Sequence, residues 1–153
     1  MNRAGIMFQA TDKYKDGQPE QATGEFTLEA GIAPVVEALS ACGVLTCASC
    51  EGHVIDPLPR AYVLFWGGKA AGAITAHYLT HRHWLYLPWR VERSMYSSRL
   101  RYSLTLDLWR VKGALFFLPE KFAWAVIKYL QKKDVQMLSK LTFKASNFAG
   151  AKL

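Results

Sequence analysis

From Leu100 to Leu108 every second residue is leucine or tyrosine, with Arg101, Ser103, Thr105 and Asp107 between them. Apolar residues at a period of two put one side of a strand into a core and leave the other side out of it. A chain holding such a segment is committed to a sheet with one covered face, and antiparallel pairing is the arrangement that tolerates the uncovered one. A partner strand is expected directly upstream, from Trp84 to Glu92, joined across the polar turn SMYSS. Pro88 has no backbone N–H to donate, which assigns that strand to an edge or a bulge.

The other segments supply what covers the sheet. Ile32, Val35, Val36 and Leu39 recur at helical spacing, with Thr27 placed to cap the helix and Gly43 to end it. Ile6–Gln9, Val44–Cys47 and Ala114–Leu118 read as short strands, and Ala61–Trp66 as a central one because it is apolar throughout. Helical spacing resumes from Lys69 to His83. Pro119 opens another helix, in which Phe122, Ala125, Val126, Tyr129 and Leu130 form the stripe expected to face the core, and Asp134 is placed to cap a further short helix with Val135, Leu138 and Leu141 on its apolar side. Residues 10–26 read as a polar loop and 144–153 as a frayed tail. The expected fold is α/β in the α+β sense: a single mixed or mostly antiparallel sheet of about five strands, helices packed on it, and a C-terminal helical segment. At 153 residues, 51% of them hydrophobic, the chain builds one core and one domain, residues 1–153.

Charge is divided unevenly along the chain. Through Arg60 there are four Lys/Arg against eight Asp/Glu, and from Ala61 onward fifteen against four, giving the net +7. A basic second half points to a polyanion or to an acidic patch on a partner protein. Lys128, Lys132 and Lys133 read as solubilising charges on a helix. No apolar run reaches the roughly 18 to 20 residues of a membrane span, and no signal core is recognisable, so a cytoplasmic location and no membrane partner are expected. Three cysteines, an odd number, fit reduced thiols. Gly67-Gly68-Lys69 lacks the upstream glycine of a phosphate loop, and no dinucleotide-type glycine pattern occurs.

The run TCASCEGH, Thr46 to His53, carries three readings. It is a small-residue turn beyond a strand; or Cys50 is a thiolate activated by His53, with Ser49 beside it, Glu51 orienting the histidine and Gly52 admitting a ligand; or Cys47, Cys50 and His53 hold zinc together with His77, His81 or His83. Ser49, Cys50, Glu51 and His53 are the candidate catalytic residues, and no metal is assigned. The order helix, strand, Ser-Cys-x-Gly loop, strand, from about Glu29 to Trp66, resembles the wybutosine-synthesis tRNA methyltransferase family, whose loop reads Ser-Ser-Cys-Ser-Gly-Arg. Ser49, Cys50 and Gly52 match; Ala48, Glu51 and His53 differ. The resemblance implies an α/β sheet domain, contact with RNA, and methyl transfer from S-adenosylmethionine.

Trp84, Trp89 and Trp109 interleave with Arg90, Arg93, Arg99, Arg101 and Arg110 on the hairpin and its flanks. Guanidinium groups pair with phosphates while indoles stack on bases, so Trp89, Arg90, Arg93, Arg99, Arg101, Trp109 and Arg110 are the candidate nucleic-acid contacts. The bland alternative pairs Arg90 and Glu92 with Asp107 and Arg101 across strands and buries the tryptophans. The sequence therefore reads as a small basic RNA-binding protein with a possible ligand or active site at residues 49–53. The alternative is a non-enzymatic module that docks on an acidic protein or nucleoprotein, such as a phage- or plasmid-borne inhibitor of a host defence complex.

Overall fold

In a computed structural model the described residues are 3–6, 14–15, 18–19, 26–52, 60–107 and 118–148. Strand β1 (Arg3–Ile6) pairs antiparallel with β4 (Phe26–Leu28), and β2 (Tyr14–Lys15) with β3 (Gln18–Pro19). The main sheet holds β5 (Thr46–Cys50), β6 (Tyr62–Trp66), β7 (Trp89–Tyr96) and β8 (Arg99–Leu106) in the order β5-β6-β8-β7, every pair antiparallel. Among the described residues three helices accompany it: α1 (Ala33–Ala41), α2 (Lys69–His81), which runs on into a short 3-10 turn, and α3 (Glu120–Phe148). The fold is thus mixed α/β around one open sheet. The segment expected to form a strand at Ala114–Leu118 lies outside the described residues except for Leu118.

The register separates the two sheet faces. Val63 stands opposite Leu104 and Phe65 opposite Tyr102, while Leu104 also meets Val91 and Leu106 meets Trp89. Val63, Phe65, Leu104 and Leu106 are buried and join one cluster with residues of all three helices. α3 packs against α1 and α2. Alternation therefore places Tyr62, Leu64 and Trp66 of β6 and Arg99, Arg101, Ser103 and Thr105 of β8 on the opposite face. The predicted period-two strand, the inner position of β6 and the edge position of β7 after Pro88 all hold.

Local chemistry explains the helix ends. Gly43 adopts φ +77°, Val44 N–H donates to Leu39 C=O at 2.9 Å and Gly43 N–H to Ser40 C=O at 3.0 Å, closing the last turn of α1. At the other end Thr27 lies in β4, α1 begins beyond Ile32 with no side-chain cap, and Pro34 opens the first turn, where a missing N–H costs nothing. The hairpin turn is Ser97-Ser98, φ 46° and 65°, a two-residue loop with both residues left-handed, as its tight twist requires.

α3 departs most from expectation. It is one helix of 29 residues, roughly 43 Å long, and runs through residues 144–148 of the segment read as a tail. Asp134 caps nothing: it lies mid-helix, buried, and accepts from Tyr86 N–H (2.7 Å), Leu87 N–H (2.8 Å) and Trp89 Nε1–H (3.0 Å). Burial pushes its carboxyl up against the downward pull of these three donors. Nor does the expected stripe face the core. Ile127, Gln131, Asp134, Val135, Leu138 and Leu141 are buried, whereas Phe122, Val126 and Tyr129 are exposed. Three polar residues, Gln131, Asp134 and Thr142, stand on the covered side, so over the first half of the helix hydrophobic spacing alone selects the wrong face, whereas Val135, Leu138 and Leu141 are buried as their spacing predicts.

Candidate nucleic-acid interface and the cysteine turn

The first half of TCASCEGH is strand. β5 extends to Cys50, beyond the expected end at Cys47, and a bulge between Thr46 and Ala48 gives Cys47 the unpaired extra place. Ser49 pairs with Val63 on the core side and Cys50 with Tyr62 on the other, so Ser49 and Cys50 point to opposite faces. Extended chain also sets Cys47 and Cys50 roughly 10 Å apart along the strand, too far to share one zinc ion at Zn–S distances near 2.3 Å. Cys47 is buried. The His77 and His81 rings lie tilted to each other with centres 4.0 Å apart, His83 is 6.4 Å from His81, and burial, His81 and Lys144 together lower the His77 pKa. Among the described residues no group of three or more histidine, cysteine or acidic side chains is arranged to hold a metal. His53 lies outside the described residues.

Around Cys50 the backbone is tied rather than open. Glu51 N–H donates to the Glu29 carboxylate at 2.7 Å, and the Glu51 carboxylate accepts Gly31 N–H at 2.6 Å. A Cβ at Gly31 would lie 2.6 Å from Glu51 Oε2 and push the Glu51 carboxylate aside. From α3, Lys128 Nζ donates to the carbonyls of Glu51 (3.1 Å) and Gly52 (2.5 Å), and Gln131 Nε2 to that of Glu51 (2.7 Å). Lys128 is thus a tether, not the solubilising charge expected of it. Gly52 takes φ +83° against the backbone of Arg60 and Ala61. The Cys50 thiol accepts Gly52 N–H at 3.3 Å, which lowers its pKa, but burial, the largest influence, and the charges of Glu29 and Glu51 raise it. The balance opposes the activated thiolate that the sequence suggested. The Glu51 carboxylate accepts Gly31 N–H, and His53, the histidine that the sequence pairs with it, lies outside the described residues.

The hairpin side of the same sheet face is built differently. The Arg99 guanidinium lies 4.5 Å over the Trp66 ring, and that of Arg101 4.5 Å over the Tyr96 ring, while Trp66 and Tyr96 are 6.5 Å apart. Two cations and two aromatic rings from three strands interleave. Trp66 is only 3% exposed, so its ring is a base plate for Arg99 rather than a bare stacking surface. Gly67 permits the crossing, because a Cβ there would meet Leu100 Cγ at 2.7 Å. Arg90 sits on the same face, paired with Glu92 at 3.0 Å and within 3.9 Å of Asp107, as the cross-strand alternative anticipated in part.

The structure sorts the predicted contacts. Arg99 and Arg101 come together with aromatic partners. Arg93 is exposed but pairs opposite Tyr102, on the other face of edge strand β7. Trp89 is 7% exposed and held in the core by Asp134, so it is an anchor and not an outward indole. Trp109 and Arg110 lie outside the described residues. Trp66 and Tyr96 are not among the contacts expected from sequence: β6 is apolar throughout, so its alternation, in which Tyr62 and Trp66 oppose Val63 and Phe65, carries no hydrophobic signal, and Tyr96 falls in the expected turn SMYSS.

No helix among the described residues is long and apolar enough to cross a membrane. Compared with protein-family models, curated proteins and solved structures, the chain gives no match.

Proposed function

We propose that the protein binds nucleic acid, with a preference for single-stranded or structured RNA, across the sheet face opposite its helices. The observation that carries this is the paired stacking of Arg99 on Trp66 and Arg101 on Tyr96. A guanidinium held over a ring has its stem already ordered, so less entropy is lost when it pairs with a phosphate. The basic second half of the chain raises the rate and strength of encounter with a polyanion.

The cysteine turn lies along the same face. Cys50 pairs with Tyr62, and Trp66 stands four residues further along β6, roughly 13 Å away at strand rise. A strand of RNA laid over β6 from Trp66 to Tyr62 reaches Cys50 within two or three nucleotides. At that end Cys50 serves as a protonated thiol lining a ligand site; methyl transfer from S-adenosylmethionine, implied by the family resemblance, would belong there.

Fluorescence anisotropy of a labelled single-stranded RNA at low salt tests the reading. Arg99→Glu with Arg101→Glu is expected to weaken binding about 100-fold and to flatten its salt dependence. An undetectable complex with the unaltered protein, or one indifferent to both substitutions, rules the interface out.

A further inference from the structure

α3 presents a second surface, independent of the sheet face. Its buried side is fixed by Ile127, Gln131, Val135, Leu138 and Leu141. On the other side Phe122, Val126 and Tyr129 follow one another at four- and three-residue spacing and are 60%, 37% and 61% exposed. Continuing along that side, Lys132, Lys133, Lys140 and Lys144 are exposed, and Asp134 on the same helix is buried. Half the face is apolar and half is cationic.

We infer that this face docks an acidic amphipathic helix of a partner protein. Side chains one turn and two turns apart are the anchors with which a helix face meets an apolar helical stripe. The lysines require the partner to carry carboxylates beyond its apolar residues, and a basic or neutral helix leaves them uncompensated. A lipid surface fits less well. Lys133 Nζ lies 5.5 Å from the Tyr129 ring centre, on the stripe itself, so inserting the stripe among acyl chains drags an ammonium with it. A carboxylate on a helix instead pairs with that ammonium in place.

The experiment uses the full chain and a fluorescein-labelled synthetic peptide of 18 residues, with leucine at helical spacing and glutamate elsewhere; its lysine counterpart is the control. Binding of the glutamate peptide is expected to weaken about tenfold in Phe122→Ser/Tyr129→Ser and by a similar factor in Lys132→Glu/Lys133→Glu. All four positions are exposed, so thermal melts should match the parent, and each pair substitutes for the other should one melt early. Absence of binding, equal binding of the lysine peptide, or indifference to both double variants overturns the proposal. So does Phe122-dependent capture of the protein by phosphatidylserine-containing vesicles with no peptide binding, which assigns the stripe to lipid.

Discussion

The two ends of one sheet face are ordered by opposite means. At the cysteine end, four hydrogen bonds, three from α3 and one to the Glu29 carboxylate, fix the backbone of Glu51 and Gly52, a fifth joins the Glu51 carboxylate to Gly31 N–H, and the nearby side chains of residues 29 and 51 are acidic. At the hairpin end, order comes from side chains stacking on one another, Arg99 on Trp66 and Arg101 on Tyr96, and the charge is positive. A backbone held by buried polar ties resists rearrangement, because each broken tie leaves a donor or acceptor unsatisfied. Stacked cations lose far less on sliding apart. The first end is therefore suited to hold one shape and the second to adapt to a ligand.

The strongest way to break this contrast is at Asp134, which serves the helix-facing side of the hairpin by a buried polar tie of the first kind. Asp134→Ala strands three donors and is expected to cost about 3 to 5 kcal/mol in urea denaturation. Its carboxyl is raised on folding, so the folded chain holds that proton more tightly than the unfolded one. Stability then falls as pH rises from the ordinary carboxyl range to the raised value, and Asp134→Asn should remove that slope. A slope unchanged in the asparagine variant would assign it to another group.

Gly52→Ala strikes the cysteine end alone. A left-handed residue against backbone atoms 3.1 and 3.2 Å from the added Cβ is expected to cost about 2 to 3 kcal/mol, with the amide shifts of β7 and β8 preserved. Spread of the shift changes into the hairpin would erase the distinction between the ends. Ser98→Gly sharpens the other side: relieving a φ of 65° should stabilise by about 1 kcal/mol and leave the cysteine end untouched, as hydrogen exchange would report. The smallest effect is chemical. Because burial and two carboxylates raise the Cys50 thiol, its alkylation at neutral pH should lag a free cysteine, and Glu29→Gln should quicken it about threefold. No change in rate would remove Glu29 from the neighbourhood of that sulfur.

Legibility in the sequence followed the physics of each element. β8 was readable from its alternation, since half-burial imposes a period of two, and Gly43 from its place after an apolar helix. The start of β7 and the core side of the first half of α3 were not. They depend on Asp134 and Gln131, polar residues buried only because distant backbone groups need them, and no spacing rule anticipates a partner 48 residues away. The site fared likewise. Arg99 and Arg101 were visible as charges on the polar side of a strand, but their ring partners come from β6 and from the last residue of β7. Trp89 shares the composition of an outward indole and the fate of a core residue, because its N–H has a buried acceptor.

Lys128, Gln131 and Asp134 span less than two turns of α3, yet they grip the end of β5 and the start of β7, the two outermost strands of the sheet. One short length of helix works as a crossbar between opposite margins. Sliding it by a single residue, about 1.5 Å, would unlatch both margins together, so neither rim of the sheet can loosen without the other feeling it.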